Sequence, residues 1–158
     1  MKFSDFIAPQ ALLPNLGSTS KESVIGELVD ALITSGNVQA SDRDDIIRAI
    51  MKREELGSTG IGRGVAVPHT KHVGVGRLVG TVGVSQEGID FDSLDGHKAE
   101  LFFLLVSPPD RPGDHLRALE NISRQLRNDT FCRFLKQSKT GDDITQLLKE
   151  ADDNHFGS

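Results

Sequence analysis

Glu100 to Val106 reads ELFFLLV, a single charge followed by six large apolar side chains without a break. A strand with one wet face alternates apolar and polar residues, so this run predicts a strand covered on both faces and central in its sheet. Upstream, Leu78 to Ser85 and Gly64 to Pro68 read as further extended segments. Downstream, the breaker-rich connection SPPDRPGD (107–114) leads into a helical stripe of Leu116, Leu119, Ile122 and Leu126, with Asp114 as its expected cap. Shorter helices are expected near Phe131 to Gln137 and Asp142 to Glu150. In the N-terminal half, a short apolar stretch at Ala11 to Leu16 precedes a helix capped by Ser18, Thr19 or Ser20 and running to about Ser35, where Gly36 ends it. Ser41, followed by the acidic Asp44, predicts the N-cap of a second helix that carries Ile46, Ile47, Ile50 and Met51 to near Leu56. Strands mixed with helices in this order indicate an α/β fold. No internal repeat or linker divides it, so one domain over 1–152 is expected, with a frayed tail at 153–158.

The chain has 158 residues, 37% hydrophobic and 26% charged, enough for one proper core and unlike a disordered segment. Eight Phe with no Trp or Tyr weaken any case for base stacking, and a nucleic-acid partner is not expected. The lone Cys132 excludes an internal disulfide and suits a reducing compartment; with no cationic pattern around it, it reads as helix packing. MKFSDFIAPQ lacks a signal-peptide core and ELFFLLV is too short to cross a bilayer, so a cytoplasmic protein without membrane insertion is expected.

The formal charge is −5, yet residues 51 to 80 hold Lys52, Arg53, Arg63, Lys71 and Arg77 against only Glu54 and Glu55. Inside this basic island lies REELGSTGIGRGVAVPHTKH (53–72). Pro68 biases Val67 to an extended conformation and has no backbone donor, so strand pairing is expected to end there and present His69 at a C-terminal sheet edge. Open α/β sheets bind ligands at such edges. Gly57, Gly60, Gly62 and Gly64 allow tight turns that gather backbone N–H groups, which suits an oxyanion; Ser58 and Thr59 add hydroxyls. No Gly-Lys-Ser/Thr follows, and the loop precedes a strand, so neither nucleotide-binding fingerprint is present. A neutral imidazole near pH 7 has a free lone pair and can take a phosphoryl group covalently, while guanidinium groups and amides neutralise the oxygens without a metal. Arg53 is the candidate clamp. His72, three residues from His69, lacks a helical register or a third ligand, and no metal or cofactor is expected. His97 reads as a solvated loop residue and His155 as part of the tail.

The pattern RxxxxxTGIGxGxAxPHxK, from Arg53 to Lys71, resembles the active-site signature of the enzyme IIA domains of the fructose–mannitol class in the bacterial phosphoenolpyruvate–sugar phosphotransferase system, nitrogen-regulatory members included. FSDFIAPQALLPNL, GIDFDSLDGHKAELFFLLVSPPD and HLRALENISRQLRN extend the resemblance over nearly the whole chain. It implies a three-layer α/β/α sandwich around a small mixed sheet. It also implies that His69 accepts phosphate from an HPr-type phosphocarrier and passes it to a IIB domain or serves a regulatory target protein. The family's arginine corresponds to Arg53 and its second histidine to His115, which the 107–114 connection allows to reach the same sheet edge as His69. Without a recognisable IIB or IIC segment, a regulatory role is expected; the alternative is a IIA component relaying phosphate to a separate IIB for sugar uptake.

Overall fold

Residues 1–156 are described by the structure, a computed structural model. Gly157 and Ser158, the end of the expected frayed tail, lie outside the described residues. The described residues form five strands, β1 (Gly60–Gly62), β2 (Val65–Ala66), β3 (His69–Lys71), β4 (Val79–Ile89) and β5 (Ala99–Ser107), and five α-helices, α1 (Lys21–Thr34), α2 (Arg43–Glu55), α3 (Pro112–Gln125), α4 (Asp129–Lys136) and α5 (Gly141–Asp152). No helix among the described residues is long and apolar enough to cross a membrane.

The run that opens the analysis is β5, and it is the middle of a mixed five-stranded sheet. Its side chains alternate between two cores, as a strand covered on both faces must arrange them. Leu101, Phe103 and Leu105 pack with Ala118, Ile122, Phe131, Leu135, Ile144 and Leu148 of α3 to α5. Phe102, Leu104 and Val106 pack with Val24, Ile25, Leu28, Ile46 and Ile50 of α1 and α2. The three-layer α/β/α sandwich follows directly.

β4 runs antiparallel along one edge of β5, from Val79 opposite Val106 to Ile89 opposite Ala99. The other edge is shared by β2 and β3, both parallel to β5 and both in the same register offset: Val65 faces Leu101, Ala66 faces Phe102, His69 faces Leu105 and Thr70 faces Val106. They are one line of chain broken at Val67–Pro68. The expectation that pairing ends at His69 is therefore corrected, because Pro68 lacks only the N–H. Its carbonyl still accepts from Leu105 N at 3.1 Å, and the strand resumes with His69 as its first residue.

β1 and β2 form a hairpin whose turn residues Arg63 and Gly64 have φ of 60° and 78°. Two successive positive φ values are what a type I′ turn needs, and glycine supplies the second without strain. The free edge of β4 is covered by the N-terminal segment through parallel bridges Ile7–Gly80 and Leu13–Gly83. Gly80 suits this crowding, since a Cβ there would lie 2.8 Å from the Leu105 side chain. Asp152, at the end of α5, accepts from the N–H groups of Phe3 and Ser4 at 2.7 and 3.0 Å, tying the last helix to the first turn. Beyond α5, the Phe156 ring packs against Phe131 with centroids 5.1 Å apart.

Helix starts follow local chemistry, with two departures from expectation. Ser20 caps α1 by accepting from Ser23 N, and Asn128 and Thr140 cap α4 and α5 in the same way. Ser41 does not cap α2: a 3₁₀ turn over Ala40–Asp42 intervenes and the helix begins at Arg43. Asp114 does not cap α3, which begins at Pro112, a favoured first residue because its missing N–H is not needed there. Asp114 pairs instead with Arg117.

One buried ion pair joins α1, α2 and the loop that leads into the hairpin. The Glu54 side chain, 1% exposed, lies 2.9 Å from Lys21 Nζ. Its carboxylate also accepts from Thr59 N at 3.1 Å and from the Thr59 hydroxyl. A buried carboxylate is tolerable only when paired and hydrogen-bonded in this way. Glu54→Ala, which strands the Lys21 ammonium and the Thr59 amide, is expected to lower stability by about 3–5 kcal/mol in urea unfolding. A loss below about 1 kcal/mol, the range of an exposed pair, would contradict this account.

Candidate functional site

His69 opens β3 at the C-terminal half of β5, and His115 stands in the first turn of α3, just past the connection that leaves the same strand. Two histidines 46 positions apart thereby meet, with ring centroids 5.3 Å apart and planes tilted by 57°. His69 is half-buried and reaches solvent. His115 is buried, at 7% exposure, with Nδ1 2.5 Å from the Ser107 hydroxyl oxygen.

His69 Nδ1 lies 2.7 Å from the Val67 carbonyl oxygen. A carbonyl only accepts, so Nδ1 carries the proton and Nε2 of the neutral ring keeps its lone pair. Strand alternation supplies this geometry, since Val67 O, two residues back, is turned away from β5 and meets the imidazole. Burial lowers the pKa of His69 below the ordinary imidazole value; the Val67 hydrogen bond opposes this, and the Arg53 charge lowers it further. Burial, then the charges of His69 and Lys71, push His115 down to about 4. Both rings are thus held neutral near pH 7.

Arg53, on the last turn of α2, donates from Nη1 to Gly57 O at 2.9 Å. Its charge acts on His69, so arginine and histidine share one electrostatic environment. The glycine-rich segment is used differently from a single anion cradle. Ser58 Oγ donates to Phe91 O at 2.6 Å and accepts from Gly60 N, while the Thr59 hydroxyl donates to Glu54. Gly60 and Gly62 belong to the hairpin strand, where Gly62 pairs with Val65 and lies at the turn remote from Val67. The structure therefore brings His69 and His115 together, with the Arg53 charge acting on His69, and turns the Ser58 and Thr59 hydroxyls to other partners.

The remaining histidines stand apart. Gly74 N donates to His72 Nδ1 at 2.9 Å, which places the ring proton on Nε2, 2.5 Å from Asp45. His97 and His155 are exposed. Cys132 is buried and burial raises its pKa, in keeping with a packing role. Residues around the site that patterning did not single out are Ser107, Glu54, Lys21 and Leu56; Leu116, expected on the buried stripe of α3, instead points to solvent there. Those two leucines are 84% and 66% exposed beside the Arg53 anchor and His115. Only the position of Ser107 directly after the apolar run hinted at its use, by placing a hydroxyl at the strand's functional end.

Residues 5–151 match the family described as phosphoenolpyruvate-dependent sugar phosphotransferase system, EIIA 2. The chain is 35% identical over 150 residues to a nitrogen regulatory protein of Bradyrhizobium diazoefficiens, covering 94% of this chain and 95% of that one. It is 33% identical over 152 residues to the fructose-specific EIIABC component of Bacillus subtilis, covering 96% of this chain and spanning 24% of that longer protein. The nitrogen regulatory protein IIA-Ntr of Neisseria meningitidis superposes with a TM-score of 0.83 at 25% identity, over 92% of this chain and 98% of that one. The IIA mannitol protein of Escherichia coli shares the fold, with a TM-score of 0.74 at 20% identity over 89% and 97% of the two chains. Matched by the family over residues 5–151 and by a full-length relative at 35% identity, the chain belongs to the EIIA 2 family of the phosphoenolpyruvate-dependent sugar phosphotransferase system.

Proposed function

We propose that this chain carries a phosphoryl group on His69 Nε2, accepted from an HPr-type phosphocarrier, in a regulatory role like that named for its nitrogen regulatory relatives. One observation supports the chemistry above all: His69 reaches solvent with Nδ1–H held by the Val67 carbonyl, which leaves Nε2 as a bare nucleophile. In the transfer, the Nε2 lone pair forms the new N–P bond while the donor's N–P bond breaks and its electron pair returns to the donor imidazole. The ring of His69 becomes more positive as the bond forms, and the Val67 carbonyl stabilises it through Nδ1–H. Arg53 is the candidate counter-charge for the phosphoryl oxygens, and His115 the second group in contact with them. Ser58, Thr59, Gly60 and Gly62, proposed from the signature as phosphate-binding, would contribute only if their present hydrogen bonds rearranged.

The regulatory reading draws on the full-length likeness to nitrogen regulatory proteins. Relay to a IIB domain for sugar uptake is the second reading, favoured by similar identity to fructose-specific components. The docking surface consists of Leu56, Leu116 and Val73, all well exposed, next to the basic Lys52, Arg53, Lys71 and Arg77. Val65 is buried at 2% and packs in the core, so it has no part in this surface. A transient relay calls for such a modest, mixed surface.

Incubation with phosphoenolpyruvate, enzyme I and an HPr-type donor, followed by intact-mass spectrometry, tests the assignment. Wild type should gain one phosphoryl group that is lost in acid and kept in alkali, as a phosphorus–nitrogen bond requires. His69→Ala should gain none while unfolding at the wild-type temperature. Arg53→Ala and His115→Ala should slow labelling by about 10–1000-fold, with Arg53→Lys short of full rescue because an ammonium is not bidentate. An acid-stable adduct, or undiminished labelling of His69→Ala, would overturn the reading.

Acid dependence provides a separate check. The depressed pKa of His69 means that its nucleophilic form persists below the ordinary imidazole midpoint of about 6.5 and is lost only as pH falls further. Labelling rates corrected for donor and enzyme I should decline with a midpoint below about 6.5; a decline centred at or above that value contradicts the burial argument.

A further inference from the structure

Ser107 ends β5 with no solvent exposure, and its hydroxyl has one proton to place. Among the described residues, the only hydrogen-bond partner of Ser107 Oγ is His115 Nδ1, at 2.5 Å. If Nδ1 held the ring proton, the hydroxyl would accept and its own proton would face the core unpaired, at the cost of a buried unsatisfied donor. If the hydroxyl donates, both groups are satisfied. A neutral imidazole has one N–H, so with Nδ1 accepting, the proton must sit on Nε2. The ring is neutral, because burial and the neighbouring charges push its pKa down to about 4.

The two imidazoles, 5.3 Å apart, therefore have opposite tautomers. His69 carries its proton on Nδ1, which donates to the Val67 carbonyl, and is bare on Nε2; His115 is the reverse. A bare Nε2 on His115 would repel phosphoryl oxygens and compete with His69 as an acceptor, whereas an N–H there is a donor available to them.

We propose that Ser107 is a positioning residue: its hydroxyl fixes His115 as the Nε2–H tautomer, so that His115 donates a hydrogen bond to the phosphoryl group held on His69. This rests on the reading that His69 carries that group.

Long-range proton–nitrogen correlation NMR of the histidine rings in the unphosphorylated full chain reads the tautomers without any phosphoryl transfer. The expected spectrum shows His115 protonated on Nε2 and His69 on Nδ1. Ser107→Ala, which removes the donor and adds no volume, should mix or reverse the His115 tautomer, leave that of His69 unchanged, and slow labelling of His69 by about tenfold or more. Ser107→Cys, with a weaker S–H donor in the same place, should fall between the two. Thermal unfolding of each variant, with rates expressed per folded protein, separates a rate effect from a loss of fold. A wild-type His115 protonated on Nδ1 overturns the proposal. A wild-type tautomer in Ser107→Ala, or an altered tautomer with undiminished labelling, does so equally. If wild-type His69 takes no phosphoryl group, the role falls with the reading beneath it, and the tautomer data show whether the Ser107–His115 geometry failed as well.

Discussion

Everything in this molecule is arranged around the need to keep water off both faces of β5. Its alternate side chains belong to different cores, so neither helical layer is dispensable, and the sheet is fixed between them. Beyond the buried Ser107 and Pro108, the chain regains the surface at Pro109, just past the strand's C-terminal end. Ser107, the 108–111 connection and the start of α3 all lie there, and β3 reaches the same level because its register is set by β5. The candidate site sits at the exit from that strand, where open α/β sheets place their ligands.

The edge strand on either side of Pro68 also holds an imidazole. The Gly64 and Pro68 carbonyls accept from β5, so strand alternation turns the Val67 carbonyl away from β5, and there it accepts from His69 Nδ1. Glu54 secures the approach, since it holds Thr59, and Thr59 O in turn accepts from Val67 N at 3.0 Å. The placement of His69 thus depends on a chain of contacts that begins at the first residue of α1, Lys21.

Patterns several residues long were legible in the sequence and isolated contacts were not. The apolar run 100–106 identified the central strand, and the helices α1, α2 and α3 appear where their spacing places them, except that Leu116 of the expected α3 stripe is exposed while His115 and Ala118 face inward. β1, β2 and β3 have three residues or fewer, too short to show any period, so the hairpin and the resumption after Pro68 were hidden. Arg63 in the left-handed region masked the turn, because arginine is not a residue that announces φ above zero. Glu54 reads as one more charge in KREE, and nothing local tells that it is the buried one. His115 joined His69 only through the family resemblance, since the contact depends on where a connection happens to return the chain.

The bonds that the Phe3 and Ser4 amides donate to Asp152 span 149 and 148 positions, joining the two ends of the domain. The N-terminal segment also lies on β4, about half the chain away, and covers its open edge. A ribosome releases residues in order, so the first turn has no carboxylate to hold it until α5 has emerged. Closure of this domain accordingly waits on α5: until that helix has been made, the segment before α1 has no carboxylate to tether it.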